Sequence, residues 1–488
     1  MNKIFKKFSK ENDLTDGNLF FKIPLFALPL ALTTIFQLLY TTVDLLTVTY
    51  FGGGTLSMTA IGSNSVLINL IITVFTSIPL GANVAMGNAK GAKNKERAER
   101  ILNTSLIVGL SSGILVGVFG FFLSPYFLEW MGTPSTIIDK STDYLRIYFV
   151  GLPFLMIYNY GSQILRALGD SKRPFYILTI SGLINIAFDF LFVIVFKLDV
   201  KGVAWATVLS EFVSALLVVL WLTFYKKGFV YINWKKMKID SLALKEILVI
   251  GLPAGIQGLA FSIPNVMIQS SLYSITDYVV DGNTIGINEI ISGSSASAQV
   301  EGYVFALLDA FSATTVAFVG QNYGAKKIID NIRKSFWYAM IWQTIAWGVC
   351  AIVSGFFPKE LLSIFMIDDE GVNLNNALLA GQERLYIMVF TYCLDGIMGI
   401  CSSYLRGMRH STSPAIITLI GCTGMRILFI YTLFTLPYFH TIFWLYAAFP
   451  ISWTIVDIVY IPTILVTEKK VFSLLGGETK TMAQETKN

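Results

Sequence analysis

Asn185 and Asp189 stand four residues apart in SGLINIAFDFLFVIVF (181–196), a stretch otherwise almost wholly apolar. On a helix that spacing puts both side chains on one face, a single turn apart. A carboxyl group in a segment apolar enough to cross a bilayer is costly, and it persists where it has a partner or a task. A second apolar stretch, 24–50, brings Asp44. At a rise of ~1.5 Å per residue, Asp44 lies roughly 10 Å from the Phe51 end of its helix. By the same rise Asp189 lies about 10 Å from Phe196, and Thr207 about 9 Å from Lys201. Three helices of alternating direction thus bring polar groups to one level, with Asn185 one turn deeper. Two neighbouring carboxylates cannot both ionise cheaply. A shared proton, or a sodium ion among the carboxylate, amide and hydroxyl oxygens, resolves that cost. The chemistry suggested is reversible cation binding at membrane depth. Taken alone, Thr207 reads as interhelical glue; two acids at one depth do not.

The elements that must position these residues follow from composition. The chain has 488 residues, of which 54% are hydrophobic and 14% charged; its mean hydropathy is +0.64. A soluble chain carries nearer a quarter charged residues. Apolar runs of membrane-spanning length recur throughout. They predict an all-α, polytopic membrane protein with twelve spans near 24–50, 61–86, 101–123, 141–165, 174–196, 202–225, 247–272, 291–319, 333–357, 384–405, 414–436 and 441–466. Pro and Gly mark many of the boundaries. The amino-terminal residues, with Ile4, Phe5 and Phe8 among lysines, suit a short interfacial helix or a basic tail. They do not suit a cleaved signal peptide. The polar stretch after 466 reads as a disordered tail.

With the amino terminus placed inside, 28 of the 36 lysines and arginines fall in the inner segments, which orients both termini to the cytoplasm. The sequence also repeats itself. GNAKGAKN (87–94) returns as GQNYGAKK (320–327), and LRALGDSKRP (165–174) as LRGMRHSTSP (405–414). The offsets are 233 and 240. Six spans per half is an even number, so the halves share orientation and should flank a central cavity. The expected organisation is a cytoplasmic segment (1–21), an N-lobe (22–225), a cytoplasmic linker serving as hinge (226–246), a C-lobe (247–466) and a cytoplasmic tail (467–488).

With these motifs in order, the chain resembles the multidrug and toxic compound extrusion (MATE) family from Pro29 to about Thr467. The resemblance is carried by FQLLYTTVDLL (36–46), the two repeated loops, ILRALGDSKRPFYILTISGLINIAFDFLFV (164–193) and GVAWATVLSE (202–211). It implies two six-helix lobes working as a secondary antiporter that exports drugs or amphiphilic, cationic metabolites in exchange for protons or sodium. In its N-lobe motif the chain is nearer the proton-coupled, DinF-like branch. The residues this implies for ion coupling are Asp44, Asn185, Asp189 and Thr207, supported by Gln37, Tyr144 and Asn159. Asp395 matches an acid used on the tenth helix by another branch, whereas the seventh span here has no acid. The resemblance implies no cofactor beyond the coupling ion, H+ or Na+. It implies a monomer in the cytoplasmic membrane of a prokaryote, with a small-molecule substrate and the lipid bilayer as partners and no nucleic acid.

The C half has charges of its own. Arg426, Asp395 and Asp309 each come to roughly 17–18 Å from the inner face at helical rise. An arginine at that depth calls for a partner, so a salt bridge from Arg426 to Asp395 is expected. Asp309 with Glu301 forms a candidate site for a cationic substrate or second ion. The alternative function is a flippase for lipid-linked precursors, which the shortage of basic residues within the spans disfavours. An enzyme is not expected, because His410 and His440 fall in connections and no catalytic cluster converges at depth. Cys350, Cys393, Cys401 and Cys422 lie in apolar segments and read as buried small residues.

Overall fold

A computed structural model describes residues 13–226, 228–275, 278–280, 283–325, 329–366 and 373–485. The fold is all-helical apart from one short hairpin. The helices are α1 (Leu19–Phe51), α2 (Gly54–Ser77), α3 (Pro79–Gly91), α4 (Lys95–Trp130), α5 (Ile138–Ala167), α6 (Lys172–Asp189) and α7 (Val200–Phe224). There follow α8 (Ser241–Ser271), α9 (Ile287–Ala325), α10 (Ile329–Phe356), the short α11 (Pro358–Ser363), α12 (Leu374–Gly407), α13 (Thr412–Thr418), α14 (Met425–Tyr431) and α15 (Ile442–Glu485). Strands β1 (Tyr278–Val280) and β2 (Asn283–Ile285) pair antiparallel between α8 and α9. Among the described residues, eleven helical stretches are long and apolar enough to cross a membrane. Helix α5 makes the twelfth crossing by length: 30 residues span about 45 Å. Asp139, Lys140, Asp143 and Arg146 near its start dilute its apolarity. The chain is a multi-pass membrane protein.

The helices group into two compact units, Met1–Gly255 with Val316–Ile332, and Ile256–Thr315 with Arg333–Asn488. The division falls inside α8 and α9.

Within the first unit, small residues let helices approach closely. A Cβ on Gly91 would lie 2.0 Å from the Gln321 carbonyl oxygen, and one on Gly324 would lie 2.1 Å from that of Asn88. The two loop motifs repeated in the sequence, GNAKG and GQNYG, therefore pack on each other backbone to backbone. The segment before α1 closes over this junction. Leu14 is buried; its N–H donates to Gln321 Oε1 at 3.2 Å, and its carbonyl accepts from Asn322 Nδ2 at 3.0 Å. Residues 228–246 are packed rather than free. Val230 and Ile232 are buried, Asp240 N–H donates to Thr104 Oγ1 at 3.0 Å, and Arg97 holds both carboxylate oxygens of Glu246.

The second repeat is visible in the backbone. Gly169 and Arg409, 240 positions apart, both take positive φ, +81° and +70°. In each case the next residue's N–H returns to a leucine carbonyl: Asp170 to Leu165 and His410 to Leu405, both at 2.9 Å. These are matching left-handed helix ends, one built with the expected glycine and the other with a strained arginine. Asp170 then caps α6 through the Arg173 N–H at 3.1 Å and pairs with the Arg173 guanidinium at 2.5 Å.

One expectation changes, and another falls where nothing tests it. The interfacial helix proposed around Ile4, Phe5 and Phe8 lies outside the described residues. The tail after 466 is not disordered throughout, because α15 runs on to Glu485. Glu468 anchors this extension, accepting from Tyr404 Oη at 2.6 Å and Arg333 Nε at 3.0 Å.

Candidate ion-binding site

In the first unit, α1 brings Asp44 and α6 brings Asp189 into the same buried space. Their carboxyl groups lie within hydrogen-bonding reach of each other. Asp189 is fully buried and Asp44 is 7% exposed. Neither Asp189 oxygen, nor Oδ1 of Asp44, meets a donor group among the described residues. Asn185 is 1% exposed, and both its amide oxygen and its amide nitrogen lack a partner. Buried polar groups are nearly always satisfied. Asp44 of α1, and Asn185 and Asp189 on adjoining turns of α6, depart from that rule together.

The backbone is irregular at this point. Helix α6 ends at Asp189 and the chain continues as one π-helical stretch, Phe190–Val195. Such widened turns recur at functional sites because they redirect side chains and loosen the regular ladder. Tyr144 of α5 stacks on Tyr148, with ring centroids 6.3 Å apart, and is in electrostatic contact with both aspartates. The Gln37 side chain lies near the Tyr40 hydroxyl, and Tyr40 is one turn of α1 from Asp44.

Two residues of the implied set do not join the pair. Thr207 Oγ1 donates to its own helix, at the Val203 carbonyl, 3.0 Å away. Asn159 likewise turns back to the Leu155 carbonyl at 2.9 Å. Both hydroxyl and amide are occupied by the helix that carries them.

In the second unit the expected Arg426–Asp395 salt bridge does not form. Arg426 is 1% exposed, and it donates from Nε to Ser452 at 2.9 Å and from Nη1 to Asn265 at 3.0 Å. Its guanidinium lies over the Phe449 ring at 4.2 Å. Neutral acceptors and an aromatic face hold the cation, with Nη2 buried and without a partner, and Asp395 stays in electrostatic reach without direct pairing. The ion pair of this unit is another one. Arg384, which the sequence places at an outer boundary, lies inside α12 and binds Glu301 with both ends of its fork, at 2.7 and 2.9 Å. Ser297 adds a third hydrogen bond to Glu301 at 2.8 Å. Glu301 is thus already neutralised, while Asp309 is exposed on the same helix. Asp457 of α15 escaped the sequence reading. Both its oxygens are buried without a donor, and it lies in electrostatic reach of Asp395. The signal was present as a lone acid in IVDIVY, within the last span.

Comparison with known proteins gives the same fold and family. The MatE family profile matches residues 29–191 and 263–432. The chain is 28% identical over 409 residues to the probable multidrug resistance protein YoeA of Bacillus subtilis, covering 83% of this chain and 84% of that protein. It is 23% identical over 387 residues to the probable multidrug resistance protein NorM of Thermotoga maritima, covering 76% of each. A crystal structure of a MATE protein in complex with MaL6 superposes with a TM-score of 0.85 at 19% identity, over 95% of this chain and 100% of that one. The chain belongs to the MATE family of transporters.

Proposed function

We propose that this MATE-family transporter is a secondary antiporter. It exports amphiphilic, cationic small molecules, drugs among them, in exchange for protons or sodium, by alternating access between an N-lobe and a C-lobe. The multidrug resistance relatives support the cargo class. The observation that carries the ion coupling is the meeting of Asp44 and Asp189 beside the orphaned amide of Asn185. Two carboxyl groups in contact need a cation between them, either a proton on one or a sodium ion bridging both. The donor set fits either ion, since carboxylate and amide oxygens are hard ligands. A cavity that alternates between cation and cationic cargo at these carboxylates couples the two fluxes. The lobes, the cytoplasmic placement of both termini in a prokaryotic cytoplasmic membrane and a monomeric state complete this reading.

A flippase for anionic lipid-linked precursors is less well supported. Both buried arginines of the second unit are engaged, Arg384 by Glu301 and Arg426 by Ser452 and Asn265.

The test is efflux of ethidium from proteoliposomes under an imposed proton or sodium gradient. Wild-type protein should move the dye only with one of the gradients, and Asp189→Asn should lower the rate by about two orders of magnitude or more. Normal gradient-driven efflux by Asp189→Asn would overturn the reading.

A further inference from the structure

The first unit holds one more acid inside a span that the ion-coupling set does not use, Glu211 of α7. Its position follows a pattern shared by four helices. Tyr40 and Asp44, Tyr144 and Tyr148, Asn185 and Asp189, Thr207 and Glu211 are each four residues apart, so each pair lies on one helical face. Consecutive spans alternate in direction. In α1 and α6 the second member comes after the first toward the Phe51 end of the bundle; in α5 and α7 it comes after the first toward the opposite end. The eight residues therefore fall in two layers. One holds Asp44, Tyr144, Asp189 and Thr207. The other, about 6 Å away by helical rise, holds Tyr40, Tyr148, Asn185 and Glu211.

The side chains agree with this layering. Glu211 is in electrostatic contact with Tyr40, Tyr144 and Tyr148. Tyr40 and Tyr144 are also in contact with Asp44, and Tyr144 with Asp189. Tyr144 thus lies within electrostatic reach of both acids of one layer and the acid of the other. The Glu211 carboxyl takes no hydrogen bond from the described residues. Room for it is made by Gly151 of α5, where a Cβ would lie 2.3 Å from Glu211 Oε2. In the same layer Asn185 is 1% exposed with both amide atoms unpartnered. A half-buried carboxyl without a donor and a buried amide without a partner supply the oxygens that a small cation needs.

We propose that Glu211, with Asn185, Tyr40 and Tyr148, forms a second cation station one helical turn from the Asp44–Asp189 pair, through which the coupling ion reaches and leaves that pair. This rests on the ion-coupled reading above. If the ion is a proton, an O–H bond breaks at the aspartate pair as the cationic cargo takes its place, and one forms at a Glu211 oxygen, leaving both aspartates ionised against the cargo and Glu211 neutral. If it is sodium, it exchanges carboxylate oxygens with no covalent change. The titratable groups within electrostatic reach of Glu211 are Tyr40 of α1 and Tyr144 and Tyr148 of α5, with Asp44 and Asp189 one helical turn beyond them.

The test uses dicyclohexylcarbodiimide, a hydrophobic reagent selective for protonated carboxyl groups, on the purified full chain, with the modified residue located by mass spectrometry across pH. Glu211 should be modified in acid and protected in alkali. In the double variant Asp44→Asn, Asp189→Asn the midpoint should move to lower pH, because negative charge has been removed nearby. A purely structural glutamate would keep its midpoint, and that result would overturn the proposal. Slower modification in sodium chloride than in potassium chloride assigns the station to sodium, and equal rates assign it to protons. In the efflux assay Glu211→Gln should lose about a hundredfold in rate, and Glu211→Asp should recover part of it. Wild-type efflux by Glu211→Gln would overturn the station while leaving the aspartate pair standing. Wild-type efflux by the aspartate variants would instead remove the pair itself.

Discussion

Arg384 and Glu301 show what a charge in a span can be for. The guanidinium has two carboxylate oxygens, Ser294 Oγ at 2.8 Å and the Tyr446 ring at 4.8 Å. The carboxylate has the guanidinium and Ser297. Every strong partner is inside the protein, so the pair works as a clamp between α9 and α12. Asp44, Asp189 and Asn185 are the reverse case, with buried atoms facing each other and no donor. Removing one member of a buried pair leaves an uncompensated charge and costs about 3–5 kcal/mol, whereas replacing both with apolar groups costs far less. Arg384→Met alone should therefore lower the melting temperature in detergent sharply. Arg384→Met with Glu301→Leu should recover most of the loss. Equal destabilisation by the single and double variants would mean that the clamp is not the source of the effect.

At the scale of elements, the spans and their order were legible because apolar periodicity and length carry that information directly. Their ends were less so. The tenth span reads as 384–405 by hydropathy, but α12 begins ten residues earlier, at Leu374. Paired as it is with Glu301, Arg384 stays inside a helix where a hydropathy window would end it. The same blindness hid the true partners of Arg426, since Ser452 and Asn265 are neutral and signal no charge. The π-helical stretch after Asp189 has no sequence signature of its own. The link between α1 and α2 was legible only as a run of glycines. In the structure Asp199 holds that corner, accepting from the Gly53 N–H, Ser57 Oγ and Lys140 Nζ, each at 2.8 Å. Burial pushes the Asp199 carboxyl up, but these donors together hold it below its ordinary value. A depressed carboxyl stabilises the fold above the unfolded-state value of about 4 and loses that contribution as pH falls through the lower folded value. Asp199→Asn, which keeps a residue tolerant of the +51° φ found there, should be less stable than wild type at neutral pH. The difference should be at most about 1 kcal/mol, because the ion pair is partly exposed. By thermal unfolding it should shrink as pH falls below the unfolded-state value of about 4, and vanish once the wild-type carboxyl protonates in the fold. A difference that persists undiminished in acid would show that the charge is not what holds the corner.

For the whole molecule, the internal repeat was the most informative feature of the sequence, and the backbone shows why. A repeat that preserves left-handed helix ends at Gly169 and Arg409 preserves a fold, even where one copy uses an arginine for a glycine's job. Chemistry was not repeated with it. The first unit carries Asp44 and Asp189 within reach of each other, and the second carries the neutralised Arg384–Glu301 pair together with Asp395 and the unpartnered Asp457. The shared scaffold was therefore readable from the motifs. The division of labour rests on which charges find partners, and only the packed side chains reveal that. The central claim is that the Asp44–Asp189 pair holds a cation that cargo displaces. The measurement that tests it most directly is made on purified protein in a weakly buffered solution without sodium, titrated with ethidium while a pH indicator follows free protons. Proton coupling predicts that wild type releases protons as the dye binds and that Asp189→Asn releases none. Sodium coupling predicts no release, but competition between sodium and dye that Asp189→Asn abolishes. Dye binding with neither proton release nor competition by sodium would contradict the account.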